Sequence, residues 1–196
     1  MSLAVKHIDE AGTEKLSLRA LAREAGVSPT APYSHFPTKT CLLAAIATQG
    51  FRDLTTRMQE ATASDKDIFD RFIDMGMAYV SFAAEQPTAY RLMFGSVVDD
   101  FSRYENLLTA ADACYRHVLA TLEELRVSRQ LDVDPELLGA TTWSMVHGLS
   151  SLLIDKKMDN PASFSPKRSV EVLREDPERA LRFMCQGLLN NPSNVN

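Results

Sequence analysis

The chain has 196 residues, 45% of them apolar and 24% charged, with a net charge of −5. This is ordinary globular material, enough for one sizeable core or two small ones, and its acidic balance excludes a broad basic field as the source of any nucleic-acid affinity. Cys41, Cys114 and Cys185 lie far apart with no C-x-x-C spacing, no leader-like start is visible, and no stretch reads as a bilayer span, so a cytoplasmic protein with reduced thiols is expected.

The pattern is helical from the start. Leu3, Ala4, His7 and Ile8 share one face of a short helix from about Ser2 to Ala11, and Gly12 stops it. Ser17 is a good N-cap for a second helix. In it Leu18, Leu21, Ala22 and Ala25 form the apolar face, and Gly26 ends it at a position favouring positive φ. Val27 reads as an apolar plug in the turn. Ser28 caps again with Pro29 at the first helical position, and a short third helix is expected to run to Phe36 before Pro37. Helix, glycine turn and short second helix is the spacing of a helix-turn-helix.

Such a unit lays its second helix in the major groove. Here that helix presents Thr30, Ala31, Tyr33, Ser34 and His35, small groups and hydrogen-bonding tips with no long acid. Ala31 suits a thymine methyl. Tyr33 and His35 suit phosphate oxygens. Thr38 caps the next helix, whose amides and Lys39 make a phosphate site. Residues 1–50 hold five basic against four acidic side chains, and the remainder sixteen against twenty-two. Affinity would therefore rest on a few aimed groups, doubled in a dimer.

The run L-S-L-R-x-L-A-x-x-A-G-V-S followed by Y-x-H-F-x-x-K resembles the DNA-binding half of the tetracycline-repressor (TetR) family of transcriptional regulators. The resemblance implies phosphate contacts at Ser17, Tyr33, His35 and Lys39, and base reading at Thr30, Ala31 and Pro32. Ser28 and Ser34 complete the expected DNA-binding set. Three features depart from the family pattern. Pro32 lies inside the short helix, removes a donor and disfavours α geometry at Ala31, so a distorted start is expected. Thr40 stands where the family usually has Glu. The first helix begins at once, so no arm contact in the minor groove is expected.

A long helix from Thr38 to about Ala61 follows, with Leu42, Leu43, Ile46, Ala47 and Phe51 serving the small domain, and Leu54, Met58 and Ala61 serving what comes next. Asp65 is positioned to cap a helix striped by Ile68, Phe69, Phe72, Ile73, Gly76, Tyr79, Val80 and Ala83, which Pro87 breaks. A short segment, Thr88 to Phe94, ends at Gly95. One long helix is expected from about Asp99 to Arg129. Another begins at the Asp134 cap with Pro135 and runs to about Lys156. After an irregular stretch, Asp176-Pro177 starts a last helix to about Asn190. The fold class is therefore all-α, with about nine helices. The division is a three-helix helix-turn-helix domain at 1–48, a helical ligand-binding and dimerisation bundle at 49–190, and a disordered tail at 191–196.

In the larger domain, Phe72, Tyr79, Phe82, Tyr90, Met93 and Phe94, with Tyr115, Trp143 and His147, mix aromatics and polar tips as a pocket for a small apolar ligand does. The same spacing also suits plain core. Trp143-x-x-x-His147-Gly148 places a Trp and a His one turn apart beside a glycine. It resembles the C-terminal domain of one branch of these regulators. The resemblance further implies a dimer built on the last two long helices, with Leu138, Met145, Gly148, Leu149 and Leu152 on one stripe and Leu181, Met184, Cys185 and Leu188 on the other.

Enzymatic readings are thin. The four histidines are scattered, no Gly-rich phosphate loop precedes a lysine, and Cys114 with His117 makes only two of the ligands a metal needs. No cofactor, metal or membrane is expected. The expected function is a ligand-responsive, dimeric repressor of a palindromic operator, with double-stranded DNA and a small-molecule effector as partners. The alternative is an all-helical interaction module or bundle enzyme that does not bind DNA.

Overall fold

The structure, a computed structural model, describes residues 1–155 and 167–189, and among them contains helices and no strand. The helices are α1 (Ser2–Ala11), α2 (Leu18–Glu24), α3 (Lys39–Thr62), α4 (Ile68–Glu85), α5 (Pro87–Phe94), α6 (Glu105–Ser128), α7 (Pro135–Ile154), α8 (Lys167–Glu175) and α9 (Pro177–Leu189). Short 3₁₀ turns occupy Thr13–Lys15, Ala31–Ser34 and Phe101–Arg103. Residues 191–196 lie outside the described residues.

The chain forms two compact units, and neither is one continuous piece of sequence. The first comprises Met1–Asp53 with Gln86–Asp112, and the second Leu54–Glu85 with Ala113–Asn196. A boundary at residue 48 misses the return of 86–112. That return is long-range packing, invisible to local periodicity. It is visible in the first core, where the ring of Phe51 meets Phe94 at 5.4 Å and Phe101 at 6.0 Å, both edge-on. Tyr90, Leu92 and Met93 of α5 are buried there too. A Cβ on Gly50 of α3 would stand 2.6 Å from Met93 Sδ, so the methionine side chain fills the space a larger residue would take. The Thr88 hydroxyl of α5 donates to Asp9 of α1.

The second unit packs α4 against α7 and α9, and α8 against α7 and α9. Ile73, Phe82 and Ala83 of α4 are fully buried, as are Leu54 of α3 and Leu125 of α6. Gly76 admits Leu181 of α9, whose Cδ2 would be 2.5 Å from a Cβ there. Caps set the starts. Asp134 accepts the Leu137 N–H at 2.9 Å, and Asp176 accepts the Arg179 N–H at 2.9 Å. The α4 cap is Asp67, which accepts the Phe69 N–H at 2.9 Å, rather than Asp65. The long helix α6 starts at Glu105, later than Asp99, because Asp100 first caps the turn Phe101–Arg103 through the Ser102 N–H.

By length and composition α7 is apolar enough to cross a membrane, which corrects the expectation that no stretch is. In the fold it is a bundle helix, with Leu138, Gly139, Thr142, Leu149 and Ser150 buried against its own unit.

Candidate DNA-reading surface

The expected reading head is present, with its geometry set by backbone turns. Ser17 is extended, and its Oγ accepts the Ala20 N–H at 3.4 Å, capping α2. Leu18, Leu21 and Ala22 turn inward. At the far end Gly26 takes φ +70°, while the Val27 N–H bonds to Ala22 O at 3.0 Å and the Gly26 N–H to Arg23 O at 3.2 Å. This is the Schellman closure that glycine permits at no steric cost. Val27 is exposed and plugs nothing.

The segment after Gly26 is not an α-helix from Pro29 to Phe36. It is a 3₁₀ turn over Ala31–Ser34. The Ala31 N–H bonds to Ser28 O at 2.9 Å and the Tyr33 N–H to Thr30 O at 3.1 Å, both one residue too tight for an α turn. Pro32 supplies the reason, having no amide to give and holding Ala31 out of regular α geometry.

The expected contact residues from Ser28 to His35 lie on this turn or flank it, while Ser17 caps α2 and Lys39 opens α3. Ser17, Ser28, Thr30, Tyr33, Ser34 and His35 are exposed, and Ala31 and Pro32 are half-buried. The Ser28 and Thr30 hydroxyls bond one another at 2.9 Å, and Ser34 donates to Ala31 O at 2.7 Å. These hydroxyls shape the turn as well as decorate it. Tyr33 and His35 hold their tips outward. Beyond them Thr38 Oγ1 accepts the Cys41 N–H at 3.2 Å and starts α3. Lys39 is half-buried and turned back on the chain, its Nζ donating to Thr13 O at 3.3 Å and Glu14 O at 3.5 Å. Glu24 pairs with His7, and this hydrogen bond holds its carboxyl below the usual range.

The nine residues expected to line one pocket separate into two groups. Tyr90, Met93 and Phe94 belong to the first unit, and Phe72, Tyr79, Phe82, Tyr115, Trp143 and His147 to the second. Adjacency of α4 and α5 in the chain does not keep their aromatic residues in one unit. In the second unit Tyr79 OH lies 3.2 Å from His147 Nδ1, and the Trp143 ring stands edge-on to His147 at 6.2 Å and tilted to Tyr115 at 6.5 Å. Burial pushes the His147 imidazole below its ordinary pKa. Trp143 is 45% exposed, so it rims this cluster rather than filling it. Phe82 is fully buried, with the Arg57 guanidinium 5.7 Å above its ring. His117 meets Thr62 Oγ1 at 3.3 Å. Cys114 is buried with its thiol pushed up to about 11, a poor start for a metal site.

The expected dimer stripes are also redistributed. Leu138, Leu149, Leu181 and Cys185 are buried inside the chain's own second unit, and Met145 and Met184 are half-buried. The side chain of Leu188 lies outside the described residues. Of the expected residues Leu152 faces outward, joined by Leu137 and by Phe183, the last 80% exposed. Gly148 and Gly187 each have open space where a Cβ would be. Sequence reading missed Leu137 because α7 is apolar on both faces, and missed Phe183 because it sits beside the apolar stripe of α9 among its polar residues. The matching spacings Ser144-x-x-x-Gly148 and Phe183-x-x-x-Gly187 were the available signal.

Comparison with known proteins agrees with this architecture. Residues 1–46 match the profile described as bacterial regulatory proteins, tetR family, and residues 72–176, more than half of the chain, match the tetracyclin repressor-like C-terminal domain. The nucleoid occlusion factor SlmA of Edwardsiella ictaluri is 28% identical over 148 residues, 73% of this chain and 74% of that protein. A solved protein of unknown function from Rhodococcus sp. RHA1 superposes with a TM-score of 0.73 at 27% identity, covering 93% of this chain and 91% of that one. The TetR family transcriptional regulator PfmR from Thermus thermophilus superposes at 0.65 with 22% identity, covering 91% and 94%.

Proposed function

This chain belongs to the tetracycline-repressor family of bacterial DNA-binding regulators, and from that premise we propose that it acts in the cytoplasm as a dimeric repressor of a palindromic operator, released by a small molecule. The observation that carries the reading is the exposed segment 28–35. It is polar at its tips, small at Ala31, and held at both ends by a Schellman turn and a capped helix. A hydrogen-bonded polar turn of that kind fits base edges and phosphates together. A single head reads too few base pairs, and a dimer places two about 34 Å apart on one face of the duplex.

For the dimer face we propose Leu137, Ser144, Gly148 and Leu152 of α7 with Phe183 and Gly187 of α9. Apolar and small residues left outward on two helices suit a second copy of the same surface. For the effector we propose the second unit around Phe72, Tyr79, Phe82 and His147, the part that resembles the Trp and His-Gly branch of the family. Ser150, one turn beyond His147, is fully buried and its hydroxyl has no partner among the described residues. A ligand atom that satisfied it would remove a cost of about 1–3 kcal/mol. Helix α3 contributes residues to both units and offers a route by which effector and operator affinities are coupled, typically by about 1–3 kcal/mol. No non-binding activity is needed to account for any of these features.

The test is selection of bound duplexes from a random pool at moderate salt. Enrichment of a palindrome supports the reading and supplies a probe for effectors. A folded dimer that enriches nothing overturns it. Effector and operator binding that are independent within error would overturn the coupling alone.

A further inference from the structure

We propose that Lys39 is a positioning residue for sequence reading, joining the entrance of α2 to the start of α3. Its ammonium reaches back across 26 positions to Thr13 O and across 25 to Glu14 O. Those carbonyls belong to the turn Thr13–Lys15, two residues before the Ser17 cap. Lys39 itself is the first residue of α3. Residues Ser17 to His35 therefore lie between the two ends of this contact, in addition to the packing of α2 on the turn Ala31–Ser34.

The chemistry fits lysine at this place. An ammonium has three donors and no acceptor. Thr13 O already accepts the Leu16 N–H at 3.2 Å, and Lys39 takes its remaining lone pair while also bonding the next carbonyl. Lys39 is half-buried, and its ammonium bonds carbonyls of its own chain rather than extending away from them, as a side chain serving a phosphate alone would. Without this tie the segment 28–35 keeps its own short turns but loses a fixed orientation on α2. The consequence falls on discrimination, because base contacts depend on orientation while phosphate attraction tolerates its loss.

This inference rests on the proposed DNA-binding function, and its test separates the two. Lys39→Met keeps the stem and removes the donors; Lys39→Arg restores them. Binding to the selected operator and to a scrambled duplex is measured over a range of salt, and amide exchange is followed without DNA. With Lys39→Met the operator-to-scrambled ratio should fall roughly tenfold, the loss of one charged hydrogen bond. Exchange at Leu16 and at Tyr33–His35 should quicken, and Lys39→Arg should recover both. Equal loss on both duplexes with a flatter salt slope would make Lys39 a phosphate contact and overturn the proposal. So would a lower melting temperature with an unchanged ratio well below it. If the wild type prefers no duplex, the DNA reading fails, and the exchange result still decides whether the tie exists.

Discussion

The reading segment and helix α7 are both strongly exposed in the single chain, for opposite reasons. In the segment the outward groups are hydroxyls, a phenol and an imidazole, and shape is kept by backbone turns and by hydroxyls bonding one another. In α7 the outward groups are Leu137, Trp143 and Leu152 on a regular helix whose other side is buried. Polar exposure on a rigid turn suits a hydrated, charged partner, whereas apolar exposure on a helix suits another protein face. The two surfaces imply different partners, and variants should separate them.

The largest effect is expected from the interior of the second unit. Phe82→Ala should cost about 3–5 kcal/mol in urea unfolding, since the ring is fully buried. Next comes the apolar face. Phe183→Asp should weaken dimerisation by roughly 2 kcal/mol or more, read by sedimentation, with monomer unfolding little changed; if stability falls and association does not, the ring belongs to the fold and the contrast breaks. On the polar face Tyr33→Phe should weaken binding to every duplex alike by about 1 kcal/mol, while Thr30→Val should change which base is preferred. A shift of preference from Tyr33→Phe would move that residue from phosphate to base.

The smallest effects are in pH. The His147 imidazole has a folded pKa below its ordinary 6.5 through burial, so the unfolded chain takes up its proton first and stability should decline as pH falls below about 6.5. His147→Gln should flatten that decline in thermal melts between about pH 7 and 5. Glu24, held below 4.5 chiefly by His7, supports the first unit above that value. Its contribution should disappear only in stronger acid, as pH falls through the depressed pKa, and Glu24→Gln should remove that step.

Much of the reading head was legible in the sequence. Ser17, Gly12, Gly26 and Thr38 act within one turn of themselves, and all four do in the structure what their residue types dictate. The disturbance at Pro32 was legible for the same reason, although its outcome is a 3₁₀ turn rather than a short helix with a distorted start. The packing of the aromatic residues was not legible. Phe94 meets Phe51, some forty positions earlier, whereas Tyr79 meets His147, 68 positions later, and periodicity carries no such information.

By itself, then, the sequence determined most of the helix punctuation and the helix-turn-helix, because caps, glycines and prolines act through local backbone geometry. Tertiary structure alone decided three things. It placed residues 86–112 with the N-terminal helices, it turned Leu138, Leu149, Leu181 and Cys185 inward while leaving Leu137 and Phe183 outside, and it returned Lys39 to the Thr13 turn. On a helix with two apolar faces, which face is buried depends on what packs against it. A hydrogen bond across 26 positions exists only once the chain between its ends has folded.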